Sequence, residues 1–296
     1  MSLVQVTPAT ARHNFLTLPR EIRDQICLAV LQSPSEPPAS PEDAGPRFAG
    51  FGSESERQKN VFYPVNIYPR YACQSLQACN HQMYTEVREV LARHDTSERG
   101  LDFTLDLMIQ ACDIWPTWTL LPGPISHIRN LEVEMRIFDD CHGSQFGGDG
   151  GPGPIFRPLL HLLSGLFHHG PQFIYKGALE RQLHVDTMVF TICRGEVPKE
   201  RFYEQGTGVG SPSCVLSVRH RIAQSVWLKL RMIASRGTLL GKVSKLKLKT
   251  IEDTREFQVP ERKLAQETVD YWDGYGYHWG IQLPSDGGGL GREEDP

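Results

Sequence analysis

The sequence predicts an α/β or α+β fold in which a pair of N-terminal helices precedes a small, mostly parallel sheet with helices on one face. Apolar residues recur at helical spacing within residues 14–98. From residue 99 onward, stretches of alternating apolar and polar residues are separated by further helical patterns. Because connections of this length favour parallel pairing of strands, we expect an α/β domain in the second region.

The first predicted helix begins near Leu18 and Pro19. Ile22, Ile26 and Val30 follow at four-residue spacing and form an apolar stripe. Proline suits the first turn of a helix, and an acidic residue such as Glu21 is favourable near the positive end of the helix dipole. A second helix is predicted from apolar positions that are mostly three or four residues apart: Leu76, Cys79, Met83, Val87, Val90 and Leu91.

The segment between these two helices is rich in proline. Residues 34–60 contain five prolines among serine, glycine and acidic residues. Such a composition buries too little apolar surface to offset the entropy of ordering the chain. We therefore predict a helical region over 14–98 with a disordered insertion over 32–60, an α/β domain over 99–284 and a disordered tail over 285–296.

Alternating residues predict the strands of the second region. The predicted elements are a strand over 101–109, a strand over 131–137, a helix over 156–167, a strand over 183–192, a helix over 222–233 and a last strand around Leu246 and Leu248. Three or four strands result, and most carry charges on one side, so helices are expected on one face only. Ile128-x-x-Leu131-x-Val133 and Val243-x-x-Leu246-x-Leu248 share a cadence that is loosely leucine-rich-repeat-like.

Composition and charge argue against several classes of function. A net charge of -4 and a pI near 6.3 leave no basic surface for nucleic acid or for anionic lipid. No apolar stretch reaches the roughly 20 residues of a membrane helix, and no secretory signal is recognisable. The seven cysteines are scattered without a C-x-x-C pair, which is typical of reduced thiols. We expect a cytoplasmic or nuclear protein.

No catalytic or metal-binding constellation stands out in the sequence. Asp139, Asp140, Cys141 and His142 are adjacent, but consecutive residues of an extended chain point to opposite sides, so at most two could reach one ion. The sequence also lacks a phosphate-binding loop and a serine-hydrolase elbow. The expectation is a protein that is not an enzyme, with no catalytic residues, no metal site and no cofactor.

Aromatic residues cluster in two places. Trp115 and Trp118 lie in one segment, and a second, glycine-containing segment holds Trp272, Tyr275, Tyr277 and Trp279. Tryptophan and tyrosine offer large contact area at low entropic cost, so these six residues are candidates for contact with a ligand or partner. The alternative is that they close the open ends of the sheet's own core.

The N-terminal helices carry a family resemblance. Leu18-Pro19-x-Glu21-Ile22-Arg23, followed by Cys79-Asn80-x-x-x-Tyr84, resembles the signature of filamentous-fungal F-box-like proteins, whose helices precede an α/β region of unknown function. The resemblance implies a surface that docks on the small adaptor protein of cullin-RING ubiquitin ligases, with the C-terminal region choosing a protein substrate. The residues that the resemblance places in this surface are Leu18, Pro19, Ile22, Ile26, Leu76 and Cys79.

Two further hypotheses belong to other classes. The chain could be a non-enzymatic interaction scaffold in which Leu18, Ile22 and Ile26 belong to its own core. It could also be an enzyme of unknown type, which would require a pocket where titratable residues converge. Burial or exposure of Ile22 and Ile26 discriminates between the docking and scaffold hypotheses.

Overall fold

Helices pack around a six-stranded mixed sheet. The computed structural model describes residues 15–49, 60–65, 70–96, 99–110, 113–138, 156–174, 182–194, 212–274 and 277, with backbone alone for 194 and 212–221. The helices are α1 (Arg20–Leu31), α2 (Ala72–Gln77), α3 (His81–His94), α4 (Phe156–His169), α5 (Pro212–Ser235) and α6 (Gln266–Asp273). The strands are β1 (Arg47–Ala49), β2 (Phe62–Pro64), β3 (Leu101–Gln110), β4 (Asp113–Leu120), β5 (His127–Ile137), β6 (His184–Arg194), β7 (Val243–Lys249) and β8 (Thr254–Gln258).

The main sheet has the strand order β4-β3-β5-β6-β7-β8. The four inner strands are parallel to one another, and β4 and β8 pair antiparallel at the two edges. The predicted α/β class with a mostly parallel sheet is confirmed. The predicted number of strands was too small, and the antiparallel edges do not belong to a leucine-rich-repeat-like stack.

β1 and β2, which form a separate two-stranded sheet, were not predicted, and the two strands missed in the main sheet both lie at its edges. β4 contains Pro116, and proline is tolerated in a strand mainly at an edge, where its missing N–H faces no partner. β8 has only five residues, which is too short for a clear alternating pattern. The edges therefore carried the weakest sequence signals.

One face of the sheet is apolar and faces α4 and α5. Leu105, Val133, Phe190 and Leu248 are register partners across four strands, and each is at most 3% exposed. They share one hydrophobic core with residues of both helices, among them Leu163 on α4 and Val226 on α5. Within the described ranges, no helix has both the length and the apolar content needed to span a membrane.

The opposite face is polar. In one row, Glu132, Val189, Lys247 and Glu256 are register partners, and Lys247 forms an ion pair with Glu256 at 2.7 Å. Glu132 accepts a hydrogen bond from the hydroxyl of Thr191 at 2.8 Å. This row explains why the strands predicted from sequence carry charges on one side.

The proline-rich segment after α1 lies against this polar face on the side of β3 and β4. The backbone N–H of Ser35 donates to the carbonyl of Thr119 at 2.7 Å, and Arg47 donates to the carbonyl of Pro116 at 2.7 Å. Arg136 donates to the carbonyl of Pro38 at 2.7 Å. The prediction of a disordered insertion is corrected for residues 32–49 because these side-chain and backbone bonds fix a segment that has little apolar surface; residues 50–59 lie outside the described residues.

The N-terminal helices adjoin the starting ends of the parallel strands. The side-chain amide of Gln32, just after α1, bonds both backbone groups of Asp102, at 3.3 and 3.2 Å. Asp95, just after α3, accepts hydrogen bonds from the backbone N–H groups of Ser126 and His127 at 2.7 and 2.9 Å. Buried side chains of α1 and α3 belong to the same hydrophobic core as the sheet.

Two glycines give a matched test of the packing after α5. Gly237 and Gly241 both have positive φ, +86° and +73°. A Cβ at Gly237 would lie 2.2 Å from the carbonyl oxygen of Arg262, whereas a Cβ at Gly241 would meet nothing within 4 Å. We expect Gly241→Ala to lower the free energy of unfolding by about 1 kcal/mol through backbone strain, and Gly237→Ala by about 3 kcal/mol because the clash is added. Urea unfolding measures both, and equal losses would contradict this packing.

Candidate functional site

Helix α1 has a buried face and an exposed apolar face. Its backbone begins after Pro19, whose carbonyl accepts hydrogen bonds from the N–H groups of Ile22 and Arg23, both at 3.1 Å. Arg23, Cys27 and Leu31 lie at four-residue spacing and are buried. The neighbouring row consists of Ile22, Ile26 and Val30, which are 41%, 39% and 42% exposed. We call this row the α1 stripe.

The residues that precede the stripe continue it. Pro19 is exposed and stands at the N-cap of α1, one position before the predicted first turn, and Leu18 is half-buried. The resemblance to F-box-like proteins implied that Ile22 and Ile26 are contact residues, whereas their spacing predicted only the helical stripe. The structure leaves both apolar side chains partly exposed to water, from which their transfer into an apolar environment is favourable.

Arg23 fixes α1 in this orientation. Its Nε donates to Oε2 of Glu86 on α3 at 3.0 Å, and its Nη2 donates to Oε1 of the same carboxylate at 2.5 Å. Nη1 donates to the backbone carbonyls of Leu16 and Leu18, just before the helix. All three nitrogens of a buried guanidinium are thus satisfied by one carboxylate and two carbonyls, a geometry that lysine cannot reproduce.

A second layer of charge joins α1 to α3 at the surface. Asp24 accepts from Arg20 at 2.7 Å and from Arg93 at 2.6 Å, and Arg20 also pairs with Glu89 at 2.8 Å. Burial raises the pKa of Asp24, but the hydrogen bonds from Arg20 and Arg93 outweigh it and hold the pKa below its usual value. These ion pairs join α1 to α3 in addition to the apolar side chains that both helices bury in the core, which do not include Ile22, Ile26 or Val30.

The second predicted helix is two helices. α2 ends at Gln77, and α3 begins at His81 after Asn80, whose side chain accepts from the N–H of Met83 at 2.9 Å. Asparagine is a favoured N-cap, so it starts a new helix where apolar spacing alone predicted one continuous helix. Leu76 is half-buried against the core, whereas Cys79 lies exposed in the break.

Three of the six candidate aromatic residues are core residues, which corrects their assignment to a contact surface. Trp118 is 8% exposed, and its indole N–H donates to the carbonyl of Pro171 at 2.9 Å. Trp272 and Tyr277 are each 1% exposed and pack edge to face at 5.8 Å. The hydroxyl of Tyr277 donates to the carbonyl of Arg157 at 3.1 Å. Burial of these large rings is favourable because it removes much apolar surface from water. For Trp118 and Tyr277, a hydrogen bond to a backbone carbonyl also satisfies the polar atom of the ring.

The other three candidate aromatic residues differ. Trp115 is half-buried and stacks on Phe62 with a centroid distance of 4.9 Å. One face of its ring is therefore covered by Phe62 of β2. Tyr275 and Trp279 lie outside the described residues, as do Asp139, Asp140, Cys141 and His142.

A cluster of two histidines and one aspartate was missed by the sequence analysis. Nε2 of His127 lies 2.9 Å from Oδ1 of Asp186, and Nε2 of His184 lies 3.5 Å from the same oxygen. The two rings stack with centroids 5.1 Å apart. His127 and His184 are far apart in sequence but open neighbouring parallel strands in register. The signal that could have indicated the cluster is a histidine near the start of each predicted strand: His184 within the strand predicted over 183–192, and His127 four residues before the strand predicted over 131–137.

A carboxyl group on the polar face of the sheet has a raised pKa. Burial raises the pKa of the Glu134 carboxyl, and repulsion by Glu132 and Asp106 raises it further. A cavity of about 20 Å³, lined by residues including Leu248, Thr250 and Asp253, has room for about one water molecule. Neither Glu134 nor the histidine cluster lines this cavity.

No protein-family model, curated protein or solved structure matches this chain. The resemblance to F-box-like proteins therefore rests on the motif residues of α1, α2 and α3 alone. Their placement in the structure is the physical basis for a proposal of function.

The Arg23–Glu86 contact predicts an acid-dependent loss of stability. The hydrogen bonds from Arg23 hold the pKa of Glu86 below its usual value, and a hydrogen bond from Gln82 adds to the effect. A lowered carboxyl pKa contributes stability that is complete above about pH 4.5 and is lost as the pH falls through the lowered value. We expect Glu86→Gln to unfold at lower urea concentration than wild type at pH 7, with the difference shrinking below about pH 4.5.

The matched control is Glu89→Gln, because Glu89 pairs with Arg20 at the exposed surface. It should change the urea midpoint little at any pH. Equal effects of the two substitutions at pH 7, or a Glu86→Gln effect that persists in acid, would contradict the anchoring role of Arg23.

Proposed function

We propose that the chain is an F-box-like substrate-recognition component of a cullin-RING ubiquitin ligase, and that the α1 stripe docks on the adaptor protein. The observation that supports this proposal is the exposure of Ile22, Ile26 and Val30 on a helix whose other face is anchored in the core. Together with the Leu18-Pro19-x-Glu21-Ile22-Arg23 motif, this is what a helix-in-groove contact requires.

The energetic argument concerns the apolar side chains. Each aliphatic side chain moved from water into a partner's groove contributes up to about 1.5–3 kcal/mol, less the part that α1 already buries. Residues at i, i+4 and i+8 project from one side of a helix over about two turns, so a single groove can receive all three. Because Arg23 already holds α1 in place, little conformational entropy is lost on docking.

The second half of the motif contributes unequally. Cys79 is exposed in the break between α2 and α3, so its side chain is available to a partner. Leu76 is half-buried against the core and would act mainly by holding α2 in place. We propose Leu18, Pro19, Ile22, Ile26 and Cys79 as direct contacts and Leu76 as a supporting residue.

The substrate surface belongs to the region after residue 99 in this proposal. The polar face of the sheet is partly open, with Glu132, Lys249 and Glu256 35%, 46% and 49% exposed at their side chains. Charges of both signs on a rigid sheet suit a polar protein partner rather than an apolar one.

The scaffold hypothesis required Ile22 and Ile26 to be core residues, and neither is buried in the described structure. Leu18 is half-buried, which fits either hypothesis. A thermal melt separates them further. Ile22→Asp should lower the free energy of unfolding by less than about 1 kcal/mol, because the side chain is largely at the surface. Cys27→Asp, which places a charge at a position 1% exposed, should unfold the chain and shows that the assay detects core damage.

The docking proposal is tested by recovery of the purified adaptor protein on immobilised full-length chain. We expect wild type to retain the adaptor and the double variant Pro19→Ala with Ile22→Asp to lose it while keeping its melting temperature. Leu228→Asp is the matched control, because Leu228 is also a helical aliphatic residue and is 57% exposed on α5. Wild type that retains no adaptor, or a double variant that retains as much as wild type, would refute the proposal.

A further inference from the structure

We propose that His127, His184 and Asp186 form a binding site for a divalent transition-metal cation. Their three donor atoms lie within 4.8 Å of one another at the starting ends of β5 and β6. Two imidazoles and one carboxylate are a ligand set suited to Zn²⁺ and to Fe²⁺, which leave further coordination positions for water or substrate. The site is independent of the docking surface proposed for α1.

The distances are close to those that a metal ion imposes. Ligand atoms about 2.1 Å from a tetrahedral Zn²⁺ are about 3.4 Å from each other. The two Nε2 to Oδ1 distances of 2.9 and 3.5 Å lie on either side of that value. Small rotations of these side chains would therefore place all three donors around one ion.

His184 is oriented for ligation through Nε2. Its Nδ1 lies 2.9 Å from the carbonyl oxygen of Gly241, which can only accept a hydrogen bond, so the ring proton is on Nδ1. Nε2 then carries the lone pair of the ring and lies 3.5 Å from Oδ1 of Asp186. This imidazole-to-carbonyl bond is the usual support behind a metal-bound histidine. The hydroxyl of Ser244, 3.2 Å from Nε2, can donate to it or take a coordination position.

The hydrogen bonding of His127 is a further observation, independent of the distances between the donor atoms. Its Nε2 is buried and makes no hydrogen bond, although Oδ1 of Asp186 is only 2.9 Å away, because the approach lacks hydrogen-bond geometry. A buried ring nitrogen without a hydrogen-bond partner is costly unless another group satisfies it. A cation between Nε2 and the carboxylate would satisfy both atoms.

The surroundings permit a cation to enter. The side chains of Asp186 and His184 are 33% and 35% exposed, and that of His127 is 13% exposed, so one side of the cluster is open to solvent. Arg129 is a cation that acts on Asp186, but its guanidinium is engaged by Asp102 through two bonds of 2.9 and 2.7 Å. The backbone N–H of His127, bonded to Asp95, fixes the start of β5.

The test is a titration of the full-length chain with Zn²⁺ alone, in which binding is measured by calorimetry or by competition with a chromogenic chelator. We expect one Zn²⁺ per chain, and at least about 10-fold weaker binding for His184→Ala and for the near-isosteric Asp186→Asn. His94→Ala is the control, because this histidine contacts the carbonyl of Arg99 outside the cluster and its loss should leave the affinity unchanged. No binding by wild type, or equal binding by all variants, would overturn the proposal.

A measurement on wild type alone keeps the test decisive if the variants fold poorly. X-ray absorption of the Zn²⁺-loaded chain should show two imidazoles with oxygen ligands and no sulfur. Co²⁺ in place of Zn²⁺ should give visible absorption without thiolate charge-transfer bands. Sulfur ligands in either spectrum would place the ion on cysteines such as Cys79 and would overturn the assignment to His127, His184 and Asp186.

Discussion

The guanidinium of Arg23 determines how the N-terminal helices are arranged. It binds the carboxylate of Glu86 with two bonds and also holds the carbonyls of Leu16 and Leu18, so one side chain joins α1, α3 and the chain that enters α1. A buried ion pair of this kind stabilises little relative to an apolar pair, but losing one partner leaves a buried charge unpaired. Its structural effect is on orientation: Arg23 faces inward, and Ile22 and Ile26, on the adjacent side of the helix, are 41% and 39% exposed.

The starting ends of the parallel strands connect this helical region to the rest of the molecule. Asp95 ends α3 and holds the backbone at the start of β5, where His127 begins the strand. His184 begins the neighbouring strand in register with it. The same packing that anchors α3 to the sheet thus brings the two imidazoles together. The proposed docking surface and the proposed metal site are separate in chemistry but share this support.

Much of the fold could be predicted from periodicity, and the exceptions have identifiable causes. The alternation in β3 and β5 and the stripe of α1 are strong, local signals. β4 was hidden by Pro116, which an edge strand tolerates, and the segment from residue 32 to 49 is fixed by polar bonds to the sheet rather than by apolar burial. The buried role of Arg23 could not be predicted, because it depends on Glu86 and on two carbonyls that only the fold brings near. The histidine cluster likewise needs the register of β5 against β6.

Exposure of the α1 stripe is the central claim, and site-resolved thiol labelling of an Ile22→Cys chain tests it most directly. Cys79 and Cys27 serve as internal standards, since Cys79 is exposed and Cys27 is 1% exposed with a pKa raised by burial. The orientation set by Arg23 predicts that Cys at position 22 reacts about as fast as Cys79, while Cys27 reacts only after unfolding. A thiol at position 22 that is protected as well as Cys27 in the folded chain would show that α1 turns its apolar side inward.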